Sequence, residues 1–194
     1  MQRLEQVFAL IDQANGADPN TVEVDGASRP AELVYGQRMS ARLDDFCPEA
    51  SELVKIACRA QHLERWTLPR RDYPMDRPGY HRWRNEQKRR HAARLTELME
   101  AAGYEAADAE RAASLVRKEN LRTDPDTQRL EDVVCLVFLE FYAEDFAAGR
   151  DLDQLVGIVR KTWAKMSPDG QTAALALTLP QAVGDLVHTA LSDA

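Results

Sequence analysis

Residues 130–139, Leu-Glu-Asp-Val-Val-Cys-Leu-Val-Phe-Leu, constrain this chain more than any other stretch. They contain no glycine or proline and continue a helical pattern that opens at Asp124-Pro125. A helix this apolar on nearly every side belongs in the middle of a bundle. It nevertheless carries two carboxylates. Asp132 shares a side with Cys135, Leu136 and Leu139, and Glu131 with Val134, Cys135 and Phe138. A buried carboxylate without a partner is costly, so three environments are open for this pair: a buried arginine, a metal ion, or an exposed edge of the helix.

The rest of the pattern is also helical. Leu4, Val7, Phe8 and Ile11 form one face, and Asn15-Gly16 ends that helix. Residues 15–28 read as loop, with Val22-Glu-Val24 too short to count as a strand. Pro30 suits the first turn of a second helix over 29–46. Pro48 separates it from a third over 49–66, whose core face is Leu53, Ile56, Ala57, Ala60 and Leu63. Pro69, Pro74, Pro78 and Gly79 make 67–79 a loop. Further helices are predicted over 80–102, 106–119 and 125–148, with two or three more over 151–192 broken at Pro168 and Pro180. With 194 residues, 44% of them hydrophobic and 29% charged, the chain can bury a core of its own. The expectation is an all-α, single-domain helical bundle over residues 1–194.

The three cysteines, Cys47, Cys58 and Cys135, form no CxxC pair, which disfavours a disulfide scaffold or a cysteine-ligated zinc. Cys58 and Cys135 fall in apolar patterns and read as small buried hydrophobes. No stretch has the roughly 18 apolar residues a membrane span needs, and the polar start lacks a signal-peptide core. The expectation is a soluble cytoplasmic protein without a membrane partner.

Charge is distributed unevenly. The formal net charge is -7, yet residues 59–91 hold ten Lys/Arg against four Asp/Glu. The same segment holds His62, His81, His91, Trp66 and Trp83. A cationic, aromatic segment in an acidic protein points to a bound anion. The overall acidity argues against a duplex-DNA partner. Arg59, Arg65, Arg70, Arg71, Arg77 and Arg84 are candidates to fork around phosphate or carboxylate oxygens. Trp66, Tyr80 and Trp83 could stack on a base or simply pack the loop. His62 lies off its helix's core stripe, beside Arg59, Arg65 and Trp66, as a cleft residue or a solvated one. His91 extends the stripe of Leu95 and Leu98, as a site residue or a core histidine satisfied by a backbone carbonyl. Lys165-Met-Ser looks like the start of the signature loop of class I aminoacyl-tRNA synthetases. The partner motif and the Rossmann pattern are missing, so the match reads as coincidence.

Several longer motifs carry a resemblance. Leu-Ile-Asp-Gln-Ala-Asn, Glu-Leu-Val-Tyr-Gly-Gln-Arg-Met, Arg-Ala-Gln-His-Leu-Glu-Arg-Trp, Tyr-Pro-Met-Asp-Arg-Pro-Gly-Tyr and Gln-Arg-Leu-Glu-Asp-Val-Val-Cys resemble a family of uncharacterised bacterial and fungal proteins, a domain of unknown function. More distantly, the order of parts resembles the HD superfamily of helical metal-dependent phosphohydrolases. That resemblance implies an HD-like bundle. It equates His62 with the His of the family's doublet, His91 with an additional His, and Asp132 with the final Asp. These residues would hold a divalent metal such as Mn or Mg, with Glu131 as a substitute ligand or acid/base group. Leu63 stands where the doublet's Asp belongs, Gln37 or Arg38 where the early His belongs, and Lys118 where another His often sits. Arg38 and Lys118 would then place cationic charge where the ion sat, favouring direct anion binding.

The functional expectation is a nucleotide- or phosphate-ester-handling protein, as a divergent phosphohydrolase, with its site between the third, fourth and sixth helices. The alternative is a non-catalytic module that binds a nucleotide or RNA. A third reading is a helical interaction domain whose arginines are internal ion pairs.

Overall fold

The computed structural model describes residues 2–192. The chain divides into two compact units, Met1–Asn120 and Leu121–Ala194. Both are helical, so the fold is all-α apart from one small hairpin.

In the first unit, α1 (Arg3–Asn15) buries Val7 and Ile11. The expected loop after it contains a hairpin of β1 (Thr21–Val24) and β2 (Ala27–Pro30), with Val22 opposite Arg29. Its turn is Asp25-Gly26, with φ of 52° and 77°. Two left-handed residues in a two-residue turn match the strands' twist, and Asp-Gly adopts them readily. The reading of 15–28 as loop is corrected accordingly: a short strand becomes stable once its turn chemistry supplies the partner.

The helix α2 (Ala31–Phe46) follows, with Pro30 just ahead of it rather than inside its first turn. The helix α3 is shorter than its pattern predicts, Glu52–Arg59. Its apolar stripe continues through turns, and a 3-10 turn covers Arg65–Thr67. A second 3-10 turn, Arg70–Asp72, lies in the proline-rich loop. The long helix α4 (Arg77–Ala101) starts three residues earlier than expected because Asp76 caps it and Pro78 suits its first turn. The helix α5 (Ala106–Arg117) completes the unit and packs against α4 and α3. The core is built from Val7, Ile11, Met39, Leu43, Ile56, Leu63, Leu95, Met99 and Leu115.

In the second unit, α6 (Pro125–Phe141) buries Leu130, Val133, Leu136 and Val137. A break at Tyr142 separates α7 (Ala143–Ala147), dividing the single helix expected over 125–148. The helices α8 (Leu152–Trp163), α9 (Pro168–Leu175) and α10 (Gln181–Ser192) follow, broken at the predicted prolines. All three cysteines are buried and form no disulfide among the described residues. Among the described residues, no helix is long and apolar enough to cross a membrane.

Candidate functional site

In the first unit the turn that ends α3 meets the start of α2. Asn15, buried at the end of α1, donates to the Glu32 carbonyl at 3.3 Å and accepts from the Glu64 backbone N–H at 2.9 Å. Asp18, also buried, accepts the Glu32 N–H at 3.0 Å. Two side chains of the α1–β1 connection thus fix the N-terminus of α2 and the Glu32 carboxylate it carries. Glu64 sits in the left-handed region at φ 53°, a conformation that costs a non-glycine residue about 1 kcal/mol. Asn15, and Arg94 on the Glu64 carboxylate at 3.3 Å, hold it there. The reversal returns Arg65 to the neighbourhood of Glu32.

The result is a compact cluster. The Nδ1 atom of His62 lies 3.1 Å from Glu32 Oε2, and Arg65 Nη1 lies 3.8 Å from Glu32 Oε1. The His62 ring stacks on Tyr35, with centroids 3.8 Å apart and planes 9° from parallel. The approach of α2 to α3 behind this stack requires Gly36, where a Cβ would come within 2.8 Å of the Arg59 carbonyl oxygen. Burial pushes the Glu32 carboxyl up, but His62, Arg65 and His91 outweigh it and leave it below its ordinary value. Burial lowers the His62 pKa against the opposing pull of Glu32, and Arg65 and Lys118 lower it further. A carboxylate beside a neutral imidazole is the resulting charge state near neutral pH.

His91 belongs to the core. It is 3% exposed, its Nδ1 lies 2.6 Å from the Leu63 carbonyl oxygen, and burial pushes its pKa down to about 3. Its ring centroid is 6.3 Å from that of His62. Of its two sequence readings, the structure favours the core histidine satisfied by a carbonyl.

The arginines separate into two sets. Arg59 clamps Asp12 through two hydrogen bonds, the Nε contact at 2.7 Å, and ties α3 to α1. It is engaged in an internal ion pair, the third of the sequence readings for these arginines. Arg70 braces the loop by donating to the carbonyls of Tyr73 and Asp76. Arg84 donates to the Tyr80 hydroxyl. Trp83 is buried, and its Nε1 donates to the Leu68 carbonyl at 2.9 Å, a bond Gln87 shares. Trp83 therefore packs the loop, one of its two sequence readings. Gly79 is obligatory in the same frame, because a Cβ there would fall 2.1 Å from the Pro74 carbonyl oxygen. Trp66 is half-buried in its 3-10 turn.

By contrast, Arg71, Arg77 and Arg82 are exposed and make no hydrogen bond or ion pair among the described residues. Beside them Tyr80 is 39% and Met75 78% exposed. The loop joins the Glu32–His62 cluster through Arg65, whose guanidinium lies 5.1 Å from the Trp83 ring centroid. Trp83 in turn meets Tyr80 at 5.9 Å. Arg38 lies one turn beyond Tyr35 on α2, and Lys118 caps α5 with φ 58°. Both make interactions of their own.

In the second unit Glu131 and Asp132 are buried as the pattern of α6 requires. Asp132 Oδ1 accepts from the Ser167 N–H at 2.8 Å and from Gln128 Nε2 at 3.0 Å; Oδ2 accepts from Ser167 Oγ at 2.6 Å. Ser167 in turn caps α9 by accepting from the Gly170 N–H at 3.0 Å. Burial raises the Asp132 pKa against the Ser167 and Gln128 hydrogen bonds. Uncharged donors of Ser167 and Gln128 satisfy Asp132, and no arginine engages it among the described residues. Lys165 lies 3.8 Å from Glu131, and Met166 is buried. The Lys-Met-Ser motif is thus a latch between α6 and α9.

The metal implied by the HD resemblance finds no fitting donor set. Both Asp132 oxygens are engaged, and among the described residues no group of three or more His, Cys, Asp or Glu could hold an ion.

Sequence reasoning missed Glu32, Tyr35, Asn15 and Asp18. Three of them, Asn15, Glu32 and Tyr35, lie in motifs that carry the family resemblance, but none had a partner until the fold supplied it.

Fold and cluster together define an all-α protein with a carboxylate–imidazole pair beside an arginine-rich loop. The chain belongs to the family described as Domain of unknown function (DUF4202), whose model matches residues 5–187. No curated protein and no solved structure matches it.

Proposed function

We propose that this protein binds a phosphate-bearing ligand, a nucleotide or a short single-stranded RNA, on the face formed by the proline-rich loop and the start of α4. The observation that carries the reading is the contrast among the arginines. Arg59, Arg89, Arg90 and Arg94 each engage a carboxylate. Arg71, Arg77 and Arg82 engage none among the described residues, although Asp72 and Asp76 lie in the same loop. Uncompensated like charges repel one another, and an anion relieves that repulsion. The frame is braced in advance by Arg70, Trp83 and Gln87, which lowers the ordering cost of binding. Exposed Tyr80 offers a stacking surface for a base.

The test is fluorescence anisotropy with a labelled single-stranded RNA and, separately, a labelled adenosine nucleotide, across a salt series. The variant replaces Arg71, Arg77 and Arg82 together by Ala. The expected result is salt-dependent binding that weakens about tenfold or more in the variant, the salt slope falling by about 0.7 per lost phosphate contact on RNA. Tighter binding of RNA than of the nucleotide assigns the ligand to the polyanion, and the converse to the mononucleotide. Failure of wild type to bind either probe, or unchanged binding by the variant, would refute the reading.

A further inference from the structure

The Glu32–His62 pair is more specific than anion binding requires. The Glu32 carboxylate cannot donate a hydrogen bond, so the ring proton of neutral His62 sits on Nδ1, and the lone pair is on Nε2. Among the described residues Nε2 makes no hydrogen bond, and it is not one of the buried unpartnered atoms. It therefore keeps some solvent exposure, in a side chain 26% exposed. Stacking on Tyr35 and the bond to Glu32 fix the ring's orientation. Two cations act on the same imidazole: Arg65, which shares Glu32 with it, and Lys118, held in the left-handed region at the end of α5. Such strain at a non-glycine residue persists only where surrounding structure enforces it.

An oriented imidazole with an accessible lone pair, beside the Arg65 guanidinium, has the parts needed to accept a phosphoryl group. We propose that His62 Nε2 is a phosphoryl-accepting nucleophile for small donors whose leaving group departs without a proton, acyl phosphates above all. This rests on the anion-binding reading and adds a reaction to it. The Nε2 lone pair forms an N–P bond as the P–O bond to the carboxylate leaving group breaks, and that group departs with the electron pair. Glu32 balances the imidazolium charge through the Nδ1 proton. Arg65 neutralises the phosphoryl oxygens. Water then attacks phosphorus, the N–P electron pair returns to Nε2, inorganic phosphate leaves, and solvent takes the released proton. Glu32 is a positioning residue; His62 alone touches the reacting atom.

The experiment incubates full-length protein with acetyl phosphate and follows intact mass with time. The modified residue is located by fragmentation of the wild-type adduct, so the test does not depend on a variant that folds. The expected result is one phosphoryl group on His62, labile to acid and stable to alkali. It should be absent in His62→Ala and form about tenfold or more slowly in Glu32→Gln, with the circular dichroism of both unchanged. Absence of an adduct on wild type, or an adduct on another residue, overturns the proposal. If labelled nucleotide or RNA still binds in that case, the anion-binding reading stands; if neither binds, both fall.

Discussion

Replacing Asp132 distinguishes a structural carboxylate from a catalytic or metal-binding one, and the geometry sets the size of the effect. Its oxygens accept three hydrogen bonds: two from Ser167, through N and Oγ, and one from Gln128. Ser167 simultaneously caps α9 through Gly170, whose absent Cβ would fall 2.6 Å from Asp132 Cγ. In Asp132→Ala all three donors lose their acceptor. A hydrogen bond to a charged group contributes about 1.5–3 kcal/mol, and water reaches Gln128 and part of Ser167, so the expected loss of stability is about 3 kcal/mol. Asp132→Asn behaves differently. Its carbonyl oxygen can keep the bonds from Ser167 N and Gln128, while its NH₂ faces a hydroxyl that can turn to accept. The expected loss is about 1 kcal/mol. Urea denaturation of the three proteins, followed by circular dichroism, measures both differences. The proposed labelling of His62 by acetyl phosphate should proceed in the folded Asn variant as in wild type. Equal stability of Asp132→Ala and wild type would refute the latch. So would an Asn variant that folds normally yet loses phosphoryl transfer.

Three further expectations follow from the first unit. His91 has an ordinary pKa of 6.5 and about 3 when buried. Below pH 6.5 the unfolded chain takes up a proton the folded one refuses, so this contribution is fully present above 6.5 and lost as pH falls toward 3. Between pH 7 and pH 5 the loss is about 2 kcal/mol. His91→Asn, which keeps a donor for the Leu63 carbonyl, should have a correspondingly shallower acid dependence in urea titrations; an identical dependence would contradict the buried neutral imidazole. Gly36→Ala forces a Cβ against the Arg59 carbonyl and should cost about 2 kcal/mol in thermal unfolding. An Ala variant as stable as wild type would show that α2 and α3 can separate freely. Trp83→Phe removes the donor to Leu68 and should speed proteolysis within 69–75, at a cost of about 1 kcal/mol. Unchanged cleavage would mean that the loop is held by other contacts.

Local chemistry made much of the fold legible in the sequence. Pro125 after Asp124, Pro168 after Ser167 and Gly103 after α4 mark helix boundaries whatever the tertiary context, because proline removes a donor and glycine accepts a positive φ. The burial of Glu131 and Asp132 followed from the continuous apolar pattern of α6. The β1–β2 hairpin was legible only through its turn, Asp25-Gly26, because the four-residue strands on either side are too short to read alone. The turn that ends α3 at Arg59 was misread because its residues are as apolar as a helix face.

Tertiary structure alone decided which charges meet. Helical periodicity gave His62 and Arg59 sides of a helix but no partners, and these lay 30 and 47 residues away in sequence, in Glu32 and Asp12. The ten cations of 59–91 look alike as a list. Burial beside a particular acid makes Arg59 a clamp, backbone carbonyls make Arg70 a brace, and Arg71, Arg77 and Arg82 stay exposed with no ion pair among the described residues. Apolar patterning is a property of neighbours along the chain, so one sequence reveals it. An ion pair is a property of neighbours in space, and folding has to bring them together.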